Sequence, residues 1–221
     1  MLCFTRCLHS NTVSAFNNAG FGLYSDSLGP FTADPSSLLL LGLAILIGGI
    51  GFTVVSELKQ KRSWARLLPY TKTVLIFTAA LNLGGMAIFW LLERGNPATL
   101  GQLDGLDQVL SAWFNSVTAR TAGFATLDVT LFHDSTTLLI MALMFIGGAS
   151  LSTAGGIKIG TFAVQLAAGW SYIRHKPEVV LLRRSIAAET VQKALALLLV
   201  YSLATQKRSR VRYPETEFQV G

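Results

Sequence analysis

The sequence predicts an all-α, polytopic membrane protein with re-entrant segments, and three observations point there. Of 221 residues, 51% are hydrophobic and only 14% charged, with a mean hydropathy of +0.49, too apolar for an ordinary soluble domain. Apolar runs near the ~20 residues that cross a ~30 Å hydrocarbon core lie at Ser37 to Val55, Tyr70 to Leu92, Thr136 to Ile173 and Ile186 to Ala204. The string Ala-Gly-Phe occurs twice, in "NNAGFGLYSD" (17–26) and "RTAGFATLD" (120–128), each time ahead of such a run.

Charge orients the runs. The formal net charge is +6, but the Lys and Arg residues cluster at the ends of the apolar runs, which reads as membrane topology rather than nucleic-acid binding. Glu57 to Lys72 carries Lys59, Lys61, Arg62, Arg66 and Lys72, and 174–184 carries Arg174, Lys176, Arg183 and Arg184; both are predicted to face the cytoplasm. Between them, Glu93 to Asp134 leans acidic, with Asp104, Asp107, Asp128 and Asp134, and is predicted to face outward. The last run should then end outside, yet Lys207, Arg208, Arg210 and Arg212 follow it, so 205–221 reads as an atypical basic tail without periodicity. Cys3 and Cys7 make neither a metal pattern nor a disulfide framework. The first ten residues do not read as a signal peptide.

The repeat organises the chain. With Asn18 to Phe21 set on Thr121 to Phe124, the following stretches match as "LLLLGLAILIGGIGF" (38–52) and "TTLLIMALMFIGGASLS" (136–152), both containing Ile-Gly-Gly. Upstream, "TVSAFNN" parallels "SVTART" with one residue more in the first copy. Each unit reads as a half-helix, a glycine turn and a membrane helix. The half-helix of the second unit, Leu106 to Ala119, is apolar but too short to cross, about 14 residues against the ~17 needed. Backbone that turns at membrane depth survives only where protein or water covers it, so the two turns predict a water-facing cavity between the units. Gly20 and Gly123 are expected to supply a positive φ that directs neighbouring carbonyls to one side. Carbonyl oxygens can replace the hydration shell of a potassium ion. Phe21 and Phe124 are expected to pack behind the turns as props.

"VSAFNNAGFGLYSDSL", "SVTARTAGFATLD" and "FIGGASLSTAGGIKIGTF" together resemble the Trk/Ktr/HKT superfamily of potassium transporters, above all the bacterial Ktr and Trk membrane subunits, over residues 13–204. The resemblance implies four units of membrane helix, pore loop and membrane helix around one pore, about two of which are in this sequence. It makes Asn18, Ala19, Gly20 and Phe21 the ion-binding filter of the second unit, and Thr121, Ala122, Gly123 and Phe124 that of the third. Residues 1–56 then form the second unit, 57–72 a cytoplasmic loop, 73–173 the third unit with an interrupted last helix, and 174–204 a loop and the first helix of the fourth. The family further implies a cytosolic nucleotide-binding regulatory subunit, residence in the lipid of the inner (plasma) membrane, and potassium as substrate, with uptake that in some members depends on sodium. No cofactor is expected. A homo-oligomer is expected, because one copy supplies two of four filter strands.

In "GGASLSTAGGIKIG" (147–160), five glycines interrupt an apolar segment, each costing about 1 kcal/mol relative to Ala in a helix interior. The resemblance makes Gly147, Gly148, Ser152, Thr153, Gly155, Gly156 and Lys158 a gate beneath the filter; the alternative is close helix packing by small residues. The spacing around Lys158 does not fit a Walker-type phosphate loop. Arg120, costly at membrane depth, needs a partner, either a carboxylate or the last carbonyls of the preceding half-helix. It would brace the filter or snorkel to water.

Asp26, Asp128 and Asp134 read as solvated loop acids or as concentrators of cations at the outer entrance, and Glu189 and Lys193, four apart, as a pair. His9, His133 and His175 are isolated. No nucleophile, base and acid set suggests an enzyme. Two alternatives remain: a secondary transporter of a small solute built on broken helices, and a truncated polypeptide without transport.

Overall fold

The computed structural model describes residues 10–22, 34–175, 178–181 and 184–210. Cys3, Cys7, His9, Asp26, Lys176, Arg183 and Arg212 lie outside the described residues. The chain divides after Ala163 into two compact units.

The first unit holds helix α1 (10–16), α2 (Pro35–Ile50), α3 (Phe52–Gln60), α4 (Pro69–Glu93), α5 (Gly105–Thr118) and α6 (Asp134–Phe145). Helix α7 (Ile159–Ile173) runs across the division. Helix α2 starts on Pro35, whose missing N–H is harmless there. Ahead of it, the hydroxyls of Ser37 and Ser36 donate to Asp34 and hold its carboxyl below the usual range. At Gly51, φ +87°, the helix breaks and α3 leaves at 94° to α2. A Cβ there would lie 2.8 Å from the carbonyl oxygen of Ser150. The run Ser37 to Val55 is therefore a bent pair rather than one straight pass.

Helix α4 has 25 residues, or about 38 Å at ~1.5 Å per residue. By length and composition it alone among the described helices can cross a bilayer, and the α2–α3 pair would be a second if counted as one span. It coincides with the predicted run Tyr70 to Leu92. The third run is two helices, because α6 stops at Phe145 where the glycine string begins and α7 resumes at Ile159. The re-entrant candidate is helical over Gly105–Thr118, 14 residues, within one residue of the expected bounds.

Two buried carboxylates join these helices. Glu57 accepts from Lys61 Nζ at 3.0 Å, from Leu68 N at 2.7 Å and from the Thr71 hydroxyl. Glu93, fully buried, accepts from Asn96 Nδ2 (2.8 Å), Thr99 Oγ1 (2.6 Å), His133 N (2.9 Å) and Thr136 Oγ1 (2.6 Å). In both cases the donors include the residue capping the next helix and a threonine three positions on: Leu68 and Thr71 for α4, His133 and Thr136 for α6. A carboxylate at a helix N-terminus satisfies orphan donors and complements the positive end of the dipole.

Helix α5 packs between α2 and α4. A Cβ on Gly42 would meet the Trp113 ring at 2.5 Å, and one on Gly85 would meet Ser116 Oγ at 2.4 Å, so both helices approach α5 through glycine. Leu38, Leu41, Ile45, Phe114, Val117, Ala122 and Phe124 form the core that results.

In the second unit, β1 (Val179–Leu181) pairs antiparallel with β2 (Arg184–Ile186), with Val179 opposite Ile186. The all-α expectation is corrected to that extent: a hairpin lies in the predicted cytoplasmic loop, where β-branched Val179, Val180 and Ile186 favour extended backbone. Helix α8 (Ala188–Arg210) continues six residues past Ala204, so the first part of the expected tail continues the helix. Glu189 and Lys193 do pair, at 2.6 Å and largely exposed.

Candidate functional site

Both Ala-Gly-Phe strings begin where a short helix runs out. At the end of α1, Asn18 N donates to Ala15 O (3.0 Å) and Ala19 N to Ser14 O (3.0 Å). At the end of α5, Arg120 N donates to Val117 O (3.2 Å) and Ala122 N to Thr118 O (3.0 Å). A hydroxyl then ties each turn back to its helix. Ser14 Oγ accepts from Phe21 N at 3.0 Å, seven residues on, and Thr118 Oγ1 accepts from Phe124 N at 2.9 Å, six residues on. The difference is the one additional residue in the first copy.

Gly20 and Gly123 have φ of +71° and +80°, and Asn18 and Thr121, two positions earlier, have +49° and +74°. The intervening Ala19 and Ala122 are not in that region. When φ alternates in sign, successive peptide planes turn so that their carbonyls fall on one side of the strand, instead of alternating across it as in a β-strand. Non-glycine residues rarely adopt this conformation, so Asn18 and Thr121 are held there by their surroundings. The two turns lie against each other: a Cβ on Gly20 would be 2.6 Å from Ala122 O and 3.2 Å from Gly123 Cα.

Against them the glycine string forms a closed loop. Ile146 and Ile157 pair in parallel, with Gly147 N donating to Ile157 O (2.9 Å) and Ile159 N to Gly148 O (3.0 Å). Only glycine fits at 147, where a Cβ would fall 1.6 Å from Gly155 O. The loop is bonded to both turns. Asn18 Nδ2 donates to Thr153 Oγ1 (2.7 Å), which donates to Phe16 O (3.1 Å). Gly155 N donates to Thr121 Oγ1 (2.9 Å), and Arg120 Nη2 donates to Gly147 O (2.9 Å). Further bonds fix it to the α2–α3 break, from Ala149 N to Gly49 O (2.9 Å) and from Phe52 N to Leu151 O (3.3 Å). Tyr70 Oη accepts from Ser150 N at 3.0 Å.

Residues 8–205 match the family described as TrkH, cation transport protein. The chain belongs to the TrkH family. It is 45% identical over 199 residues to the Ktr system potassium uptake protein B of Vibrio alginolyticus, covering 89% of this chain and 43% of that protein. It is 42% identical over 194 residues to the protein of the same name from Bacillus subtilis, covering 88% and 43%. The chain thus spans less than half the length of these relatives. The crystal structure of the potassium transporter TrkH from Vibrio parahaemolyticus superposes with a TM-score of 0.72 at 21% identity, over 86% of this chain and 41% of that one. That likeness speaks for the fold.

Within this TrkH-family fold, the eight residues read as filter meet in the two adjacent turns, and Gly147, Gly148, Ser152, Thr153, Gly155, Gly156 and Lys158 all lie in the loop or at its end. Two details differ from expectation, at Phe21 and at Arg120. Phe124 is buried in the core behind its turn, but Phe21 is 79% exposed among the described residues. The guanidinium of Arg120, buried, donates to a carbonyl of the glycine loop rather than to a described carboxylate or to the last carbonyls of its own helix. Lys158 Nζ turns back onto Ala154 O at 2.6 Å, which satisfies the ammonium inside its own segment. Farther out, Asp128 caps a short turn by accepting from Thr130 N (2.9 Å) and Thr130 Oγ1 (2.7 Å), and those bonds hold its carboxyl below the usual range.

Sequence reading missed Ser14, Thr118, Glu57 and Glu93. A signal was present for the first pair, a hydroxyl residue after valine in both aligned strings.

Proposed function

We propose that this chain is part of a pore-forming subunit for potassium uptake, with the ion held by backbone carbonyls of Asn18 to Phe21 and Thr121 to Phe124. The observation that carries this reading is the pair of adjacent turns with alternating φ, positive at Asn18 and Gly20 and at Thr121 and Gly123. Oxygen dipoles on a fixed backbone replace water around a monovalent cation without a side-chain charge that would hold it too tightly. The relatives named as potassium uptake proteins support the same ion. A relative named as a potassium/sodium uptake protein, from Enterococcus hirae, is 33% identical and supports sodium as a second substrate.

In this reading α1 and α5 are half-helices that enter and leave the same side of the membrane. The loop 147–158 is the gate beneath the filter, and Arg120 braces filter against gate through Gly147. Residues 1–56 and 73–173 are successive pore units, with 57–72 on the cytoplasmic side and 174–204 opening the next unit. The protein lies in the plasma membrane, crosses it several times, associates with a second copy and answers to a cytosolic nucleotide-binding subunit.

The test is Gly123→Ser in an intact, active transporter carrying this sequence, with potassium and sodium uptake measured side by side. Preference for potassium should fall at least tenfold, and an unchanged ratio sinks the filter assignment. Deleting Ser152 to Gly156 should raise flux; unchanged flux would leave the loop a packing role only.

A further inference from the structure

Between the two turns and α4 is a small, partly open cavity lined by Asn18, Ile45, Leu46, Gly49, Thr78, Val117, Arg120, Gly148 and Ala154. It has about 10 Å³ of room for the centre of a water-sized sphere. Three of its lining residues each carry a buried polar atom without a protein partner: Asn18 Oδ1, Thr78 Oγ1 and Arg120 Nε. Thr78 and Arg120 are themselves more than nine-tenths buried. A buried polar atom left unsatisfied is costly, and three on the residues around one cavity mark a ligand site rather than three separate defects.

The chemistry of the lining selects the ligand. Arg120 Nε–H can only donate, Asn18 Oδ1 can only accept, and Thr78 Oγ1 can do either. A potassium ion would satisfy the two oxygens but would lie against the guanidinium, whose like charge opposes it. A halide would suit Arg120 and leave Asn18 Oδ1 facing an anion. Only a small molecule that both donates and accepts meets all three, and the volume admits one water, which needs about 10 to 15 Å³. We propose that this cavity is the site of one ordered water that accepts from Arg120 Nε and donates to Asn18 Oδ1 and Thr78 Oγ1, linking the first turn, the second turn and α4.

Three hydrogen bonds is the usual complement of a buried water. The water completes what direct bonds begin. Asn18 already gives its Nδ2 to Thr153, and Arg120 gives Nη2 to Gly147; the water joins the remaining atoms of the same two side chains. The site uses side-chain atoms of Asn18 and Arg120 and none of the backbone carbonyls proposed to hold potassium, so it stands whether or not the chain conducts.

A density map of the purified protein, at a resolution that shows ordered solvent, should hold one peak within about 3.2 Å of all three atoms. A map without that peak, or with the Asn18 amide turned so that Oδ1 meets a protein donor, overturns the proposal. Thermal unfolding gives a second readout whose sign decides. Thr78→Val keeps the side chain's shape and removes the hydroxyl. If the water is present, the melting temperature should fall by about 2 to 4 °C, and Thr78→Ser should restore it. If the hydroxyl has no partner at all, Thr78→Val removes an orphan and the melting temperature should rise or stay the same, which refutes the proposal.

Discussion

The two Ala-Gly-Phe turns share backbone conformation, helix termination and a hydroxyl tie, yet they are supported differently. The second turn is built into the core: Phe124 and Ala122 are buried with Phe114 and Val117, and Thr118 Oγ1 holds both the N–H and the C=O of Phe124. The first turn relies on polar reach, with Phe21 exposed, Ser14 making one bond to the turn, and Asn18 fastened to Thr153 of the glycine loop. One backbone shape can thus rest on buried apolar area or on hydrogen bonds to a neighbouring segment. Both turns are bonded to the loop, the second through Thr121 and Arg120, but only the second also has a buried core behind it, so the first should respond to changes in the loop more readily.

That contrast predicts a ranking of substitutions, each measurable by thermal or denaturant unfolding of the purified chain in detergent. Phe124→Ala should have the largest effect, about 3 to 5 kcal/mol, as for other buried phenylalanines. A loss below 1 kcal/mol would mean the second turn is not core-supported. Gly20→Ala should cost more than Gly123→Ala. Both force a side chain into the left-handed region, at about 1 to 2 kcal/mol, but only at Gly20 would the Cβ also collide with backbone, at 2.6 Å from Ala122 O against 3.6 Å for the nearest contact at Gly123. Equal losses would show that the turns do not lie against each other.

Thr118→Val comes next, expected to cost about 1 to 3 kcal/mol because it leaves buried backbone groups of Phe124 unpaired. Ser14→Ala, removing one bond at a partly exposed position, should cost about 0.5 to 1.5 kcal/mol. Reversal of that order would move the weight of support to the first turn. The smallest change should be Phe21→Ala, within about 0.5 kcal/mol as for exposed positions generally.

Much of this arrangement was legible in the sequence because it depends on local rules. Glycine at 20 and 123 announced positive φ, the length of 106–119 announced a short helix, and the glycines of 147–160 announced a break between α6 and α7. The positive φ at Asn18 and Thr121 was not legible, since each is held by a side-chain bond to a loop more than thirty residues away. The 94° bend at Gly51 escaped for a similar reason: one of three glycines at 48, 49 and 51 in an apolar run is not distinguished from the others until Ser150 and Leu151 are brought beside it. Phe21 and Phe124 are identical in their local strings, so only the core formed around one of them separates their environments. The role of Glu93 was not legible, because two of its four donors, His133 and Thr136, come from 40 and 43 residues away.

The Glu93 carboxylate also sets an order of events during synthesis. Two of its four donors, His133 and Thr136, lie 40 and 43 residues later in the chain. At ~5–20 residues per second, the ribosome needs roughly 2 to 9 s to make them after Glu93 itself. During that interval the end of α4 carries a carboxylate with half of its donors. When residues 133–136 arrive, they complete its set and tie the start of α6 to the end of α4. That junction is thus finished late, on a residue made early.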